Sequence, residues 1–199
     1  MSKRRYEKHR GNGSNKFYGH KINSHVWCGS NNERSRFLML EFDENVISYS
    51  TQPETFDVYG IEYSPDILVH TKRDGDYYEE VKGDYYLKKD GFEERFELQQ
   101  KCVKALSRLP LRLVTESKIK KAPLRTLNRL NKYQRQDINK DIDIKKLPTK
   151  PILFSQLQDI IFSKFNADIG DVWTLFSHSI FTFDFKAELT PDTLVWRAR

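Results

Sequence analysis

Hydrophobic and polar residues alternate with a period of two through the middle of the chain and recur at helical spacing on either side of it. Val, Ile, Tyr, Phe and Thr concentrate at residues 46–50, 55–59, 61–70 and 77–82, which predicts four strands. Ser30-Asn31-Asn32-Glu33 opens a helix running to about Phe42, with Phe37, Leu38, Leu40 and Phe42 available to a core. A longer helix is predicted from about Phe92 to Ser107, with Phe96, Val103 and Leu106 on one side. Pro110 punctuates, and Leu111-Arg112-Leu113-Val114-Thr115 reads as a compact apolar strand. This order suits a mixed α/β domain with helices on a central sheet.

Both ends of the chain differ from this middle. Up to about Gly29 the sequence is polar, basic and broken by Gly11-Asn12-Gly13-Ser14-Asn15, so residues 1–29 read as a flexible arm. From about Ala122 a Leu-and-basic helix carries Leu124, Leu127 and Leu130 and ends in an Asp/Ile/Lys-rich connector. Pro148 and Pro151 mark the expected boundary, giving domains at 30–147 and 148–199. The second holds helical patterns at 154–165 and 169–179, a short element at 181–185 and a strand-like stretch at 193–197. Three short helices closed by a small β element suit a winged-helix-like module or a small helical domain.

Charge sharpens this division. Seven Lys or Arg residues stand against Glu7 alone in residues 1–30, and seven more stand with no acid in residues 118–136. The total is only +6, so the rest of the chain is acidic, most densely between Glu33 and Glu97. An acidic centre flanked by basic segments suits a metal-dependent enzyme acting on a polyanion. Cys28 and Cys102 lie far apart and the five histidines are dispersed, which argues against zinc and for free thiols in a reducing cytoplasm. Neither a membrane span nor a secretory signal is expected.

The chemistry lies within this acidic centre. Ser64-Pro65-Asp66 precedes one strand, Glu79-Glu80-Val81-Lys82 ends the next, and Asp74-Gly75 is a hairpin signal between them. Residues two apart in a strand share a face, so Glu80 and Lys82 point one way and Glu79 and Val81 the other. Closing the hairpin brings Asp66 opposite the Lys82 end of its partner. Asp66 and Glu80 supply hard oxygen donors suited to Mg²⁺ or Mn²⁺, and the Val81 carbonyl adds a third. Lys82 holds or deprotonates an attacking water, or neutralises charge developing on a phosphate. The competing reading is a solvated hairpin, with Asp66 serving a turn after Pro65. Glu33 completes a Ser-x-x-Glu capping box, a structural role that its sequence position favours.

Ser30-Asn31-Asn32-Glu33, Phe37-Leu38, Glu41-Phe42-Asp43, Val46-Ile47-Ser48-Tyr49 and Gln52-Pro53 resemble the N-terminal domain of the TnsA endonucleases, subunits of Tn-seven-like transposases. Tyr63-Ser64-Pro65-Asp66-Ile67-Leu68, Glu80-Val81-Lys82 and Leu113-Val114-Thr115-Glu116 continue the likeness, which covers about residues 30–117. The resemblance implies a restriction-endonuclease-like (PD-(D/E)xK) mixed-sheet domain followed by a winged-helix-like one. It also implies cutting of the 5′ strands at transposon ends in the bacterial cytoplasm. A DDE transposase, TnsB, and an AAA+ ATPase, TnsC, would be the partners. Carried across, Glu33, Asp66, Glu80 and Lys82 occupy active-site positions. Asp66, Glu80 and Val81 would hold Mg²⁺, with Mn²⁺ as a substitute. Arg4, Arg5, Lys8, Arg10, Lys120, Lys121, Arg125, Arg129 and Lys132 would hold the DNA backbone. Alternatives are a stand-alone restriction, repair or junction-resolving nuclease, or a non-catalytic DNA-binding module.

Overall fold

The computed structural model describes residues 15–198, in two compact units that divide between Lys120 and Lys121. The first unit opens with an antiparallel hairpin, β1 (Asn15–Gly19) and β2 (Ser24–Cys28). This part of the expected flexible arm is instead docked. Phe17, Val26 and Cys28 are buried, and Phe17 stacks on Phe37 of α1 (Asn31–Phe42). The buried Glu41 carboxylate accepts the backbone N–H groups of His20 (3.0 Å) and Lys21 (3.3 Å) in the hairpin turn. The basic residues Arg4, Arg5, Lys8 and Arg10 lie outside the described residues.

Four strands form the central sheet, in the order β3 (Val46–Thr51), β6 (Ile67–Thr71), β7 (Tyr77–Lys82) and β8 (Leu111–Thr115). β4 (Phe56–Val58) and β5 (Ile61–Tyr63) pair separately, so the expected strand over 61–70 is two strands, broken at Ser64-Pro65-Asp66. The β3–β6 and β6–β7 pairings are antiparallel, and β7–β8 is parallel, closed through α2 (Asp84–Leu87) and α3 (Phe92–Ser107). α4 (Glu116–Ile119) follows. The mixed sheet and its helices agree with the mixed α/β class expected from the sequence.

Strand alternation assigns the two faces. Glu79 meets Arg36 of α1, whereas Tyr78 joins Phe96 and Val103 of α3 with Phe56, Val58 and Tyr63 in one core cluster. The sheet is therefore covered on both sides. Leu106, expected on the inner side of α3, is 62% exposed. Ser107 continues the row of Phe96 and Val103 at 3.6-residue spacing, while Leu106 falls to its flank.

The second unit runs α5 (Leu124–Tyr133), a 3₁₀ turn at Ile144–Lys146, β9 (Ile152–Leu153), α6 (Phe154–Lys164), α7 (Ile169–Ser177), β10 (Phe181–Phe183) and β11 (Leu194–Arg197). Its sheet order is β10-β11-β9, antiparallel throughout. Phe154, Trp173, Phe176, Phe181 and Phe183 form its aromatic core. α5 packs against α7, which moves the boundary from the expected Pro148 to Lys120/Lys121. Pro123 gives α5 no side-chain cap, and Glu188 supplies one by accepting the N–H groups of Arg125 (3.1 Å) and Thr126 (2.8 Å). Among the described residues, no helix is long and apolar enough to cross a membrane.

Candidate functional site

The β6–β7 ladder pairs Ile67 with Glu79, Leu68 with Tyr78 and Val69 with Tyr77. Gly75 stands at φ +71° in the turn, where glycine carries little strain. Continuing this register by one step sets Asp66 opposite Glu80, and by two steps sets Pro65 opposite Val81. Glu79, and hence Val81, turns its backbone N–H and carbonyl toward β6. Pro65 has no N–H to give the Val81 carbonyl. Asp66 Oδ2 accepts the Val81 N–H at 2.7 Å. The Val81 carbonyl lies beyond the last β6–β7 ladder pair, Ile67–Glu79, where Pro65 has no N–H to donate. The β6–β7 ladder stops short of this Pro-Asp pair.

Backbone contacts fix the other side of Asp66. Its carbonyl accepts the Gln52 N–H at 2.9 Å, and Gln52 adopts φ +41° as β3 ends. The Gln52-Pro53 pair follows directly after β3, and Gln52 anchors Asp66. Glu80 is buried, and its Oε2 accepts the Tyr63 hydroxyl at 2.7 Å. Burial, and then the Glu80 charge, raise the Tyr63 pKa, so the phenol stays a donor and orients the carboxylate. Neither Tyr63 nor Gln52 was among the expected site residues. Their signal was adjacency, since Tyr63 lies just ahead of Ser-Pro-Asp and Gln52 just ahead of a proline.

Lys82 Nζ forms an ion pair with Glu80 Oε1 and stands 3.9 Å from Asp66 Oδ2. Burial alone would lower the Lys82 pKa, but Asp66 and Glu80 reverse the sign and raise it. Lys82 is therefore a firm cation. For Asp66, burial and then Glu80 push its carboxyl up to about 7, against the opposing pull of Lys82 and the Val81 N–H. Two acids are held closer than their charges favour, with one lysine shared between them.

Glu33 performs the expected cap and faces the same charges. Its N–H donates to Ser30 Oγ at 3.1 Å, while its carboxylate accepts the Ser30 hydroxyl at 2.9 Å and the Gly29 N–H at 2.8 Å. The reciprocal bond of the capping box thus goes to Gly29, one residue earlier than usual. The Glu33 charge raises the pKa of both Asp66 and Lys82. Lys120, expected on DNA, pairs with Glu116 one helical turn before it.

A Mg²⁺ ion fits this donor chemistry. Asp66 and Glu80 offer hard carboxylate oxygens, Val81 offers a carbonyl, and the raised Asp66 pKa marks negative charge that a cation would relieve. Among the described residues, no three His, Cys, Asp or Glu side chains gather as a ligand set.

In the second unit, Arg125, Asn128, Arg129, Lys132, Tyr133, Ile169 and Trp173 line a cavity of about 570 Å³. The Arg129 guanidinium lies 4.7 Å from the Trp173 ring centre. Trp173 is buried. Arg125, Arg129 and Lys132 share one side of α5, and none of the three forms an ion pair among the described residues. Lys121 precedes the helix and is exposed. No family model and no curated protein matches this chain.

Proposed function

We propose that this chain is a Mg²⁺-dependent DNA endonuclease whose first unit is a restriction-endonuclease-like domain. Its place is the TnsA-type subunit that cuts the 5′ strands at transposon ends beside a DDE transposase and an AAA+ ATPase. The observation that carries the reading is the junction of β6 and β7. There Asp66 and Glu80 share Lys82 at one edge, and Asp66 accepts the backbone N–H of Val81. Nothing in the folding of a hairpin calls for such crowding of like charge.

Mg²⁺ held by Asp66, Glu80 and the Val81 carbonyl would polarise a phosphoryl oxygen and acidify a bound water. Tyr63 fixes the rotamer of Glu80 through its hydroxyl. Lys82, protonated and tethered, favours orienting the attacking water and stabilising charge on the phosphate over acting as the resting-state base. Glu33 adds negative potential from the start of α1. The order helix, strand, helix, helix, strand, strand in the second unit supports a winged-helix reading. α7 is buried from Val172 to Ser177 and carries neither Lys nor Arg, so α5 is the better candidate for DNA contact. Its three cations would follow phosphates with little sequence readout.

The test is nicking of transposon-end DNA in Mg²⁺, with and without the neighbouring transposase and ATPase, for wild type and Asp66→Ala. Cuts at the 5′ ends that need the partners and vanish in the variant support the proposal. Metal-dependent cutting by the protein alone would assign a solitary nuclease. Retained DNA binding with no Asp66-dependent cutting would sink the enzyme reading altogether.

Two further outcomes follow from the geometry. Pro65→Ala restores an N–H opposite Val81 and is expected to weaken Mg²⁺ affinity by roughly 10-fold or more, by analogy with losses around bound metals. Calorimetric titration of metal checks this, and unchanged affinity would remove Val81 from the ligand set. Arg125→Ala/Arg129→Ala/Lys132→Ala is expected to reduce the slope of log affinity against log salt by about 2–3 on any duplex. An unchanged slope would take α5 off the DNA.

A further inference from the structure

The segment that leaves the sheet directly after Lys82 is braced to hold aromatic surface out in water. α2 has four residues, a length at which helix nucleation is not repaid by hydrogen bonds within the segment. Contacts with α4 hold it in place. The Asp84 N–H donates to Glu116 Oε2 at 3.2 Å, and the Asp84 carboxylate accepts the Ser117 N–H at 3.2 Å and its hydroxyl at 2.5 Å. Gly83, the residue between Lys82 and α2, is closely walled. A Cβ there would lie 3.4 Å from Glu116 Oε2, 3.7 Å from Asn32 Nδ2 and 3.8 Å from Tyr86 Cδ2. The Tyr86 ring is thus packed beside the chain one residue beyond the candidate catalytic lysine.

This brace displays Tyr85 and Tyr86, which are 73% and 51% exposed. Their rings meet edge to face at 5.8 Å. Lys89 Nζ lies 5.3 Å from the Tyr85 ring centre and 4.6 Å from that of Tyr86. Lys88 is exposed beside it, and the nearby Asp84 carboxylate is already committed to Ser117. Neither ring serves the core. Together they offer what a nucleotide needs, an aromatic face for a base and an ammonium for its phosphate.

We propose that Tyr85, Tyr86 and Lys89 form a stacking platform for unpaired nucleotides of the DNA strand beside the phosphate to be cut. The inference rests on the nuclease reading for its substrate. Inside a duplex both faces of every base are covered by neighbours, so the platform engages frayed or single-stranded DNA. It would hold the strand open at the site and favour cutting where pairing is weakened.

The test separates this platform from catalysis. Full-length Asp66→Ala protein, which is expected not to cut, is titrated without metal into two labelled DNAs of one sequence. One is fully paired, and the other is splayed into a fork at one end. Tyr85→Ala/Tyr86→Ala is expected to weaken fork binding by about 10-fold or more relative to the paired DNA, whereas Tyr85→Phe/Tyr86→Phe retains it. Lys89→Ala is expected to lower the salt slope on the fork by about 1. Equal weakening on both DNAs, or none, in a variant with wild-type circular dichroism would overturn the platform. Loss of fork preference together with a wild-type protein that cuts no DNA would uphold the platform and fail the nuclease reading. Metal-dependent cutting with fork binding unaffected by the alanines would do the reverse.

Discussion

Asp66→Ala is expected to lower Mg²⁺-dependent cleavage by a factor on the order of 10³ or more while leaving DNA affinity unchanged. The loss is large because one carboxylate has two tasks. It offers a metal ligand, and it accepts the Val81 N–H. Removing the Asp66 charge has an opposite effect on the metal-free protein. Burial, followed by Glu80, raises the Asp66 carboxyl from 3.8 to about 7. The folded state then keeps a proton that the unfolded chain has released, so stability falls as pH rises between those values, and the loss is complete above about 7. Asp66→Asn removes that penalty. Without metal it should exceed wild type in stability by on the order of 1–3 kcal/mol near pH 8, and show no such advantage near pH 4. Mg²⁺ should stabilise wild type at the higher pH and leave Asp66→Asn unmoved. Thermal unfolding at both pH values, with and without Mg²⁺, reads all of this. A wild-type protein indifferent to pH and metal would mean that the two acids are merely solvated.

Arg36→Met is expected to destabilise the first unit by about 3–5 kcal/mol, because it strands a carboxylate that is almost wholly buried. Arg36 grips Glu79 with both ends of its fork, Nε to Oε2 at 2.8 Å and Nη2 to Oε1 at 2.6 Å, behind the strand that carries Glu80. Burial alone would lower the Arg36 pKa, but Glu79 reverses the shift, so the guanidinium keeps its charge. Replacing both residues with methionine should recover much of the loss, since the pair mostly offsets its own desolvation. Urea denaturation at fixed pH supplies the measurement. A shifted midpoint with constant slope is the expected form, and a loss below about 1 kcal/mol, typical of surface pairs, would place the pair effectively in water.

The sequence made the junction of Asp66, Glu80 and Lys82 legible because three local rules agree there. Strand alternation, an Asp-Gly turn and a Pro-Asp pair all act over about 15 residues. The cap at Ser30 and Glu33 was legible for the same reason. Features set by distant contacts were not. Phe17, Val26 and Cys28 alternate only sparsely between polar and glycine residues, so the β1–β2 hairpin read as an arm until Glu41, some twenty residues on, supplied its anchor. Residues 61–70 are rich enough in strand formers to hide the break at Ser64, which is set by the pairing of β5 with β4. The apolar stripe of α5 announced burial without naming α7 as its partner, and Pro148 was the stronger local mark. Arg36 was hidden because a buried arginine looks like any other in sequence until its acid is placed opposite it.

The parallel pairing of β7 with β8 also sets an order of events during folding. The Ile67–Glu79 contact spans twelve residues and closes through a tight turn, whereas Tyr78 meets Leu111 only after α2 and α3 have been traversed. Loop closure favours the shorter contact, so the hairpin bearing Asp66 and Glu80 forms early and β8 arrives late. The two acids thus meet before the sheet that confines them is complete. Their repulsion then belongs to the rate of folding as well as to its equilibrium.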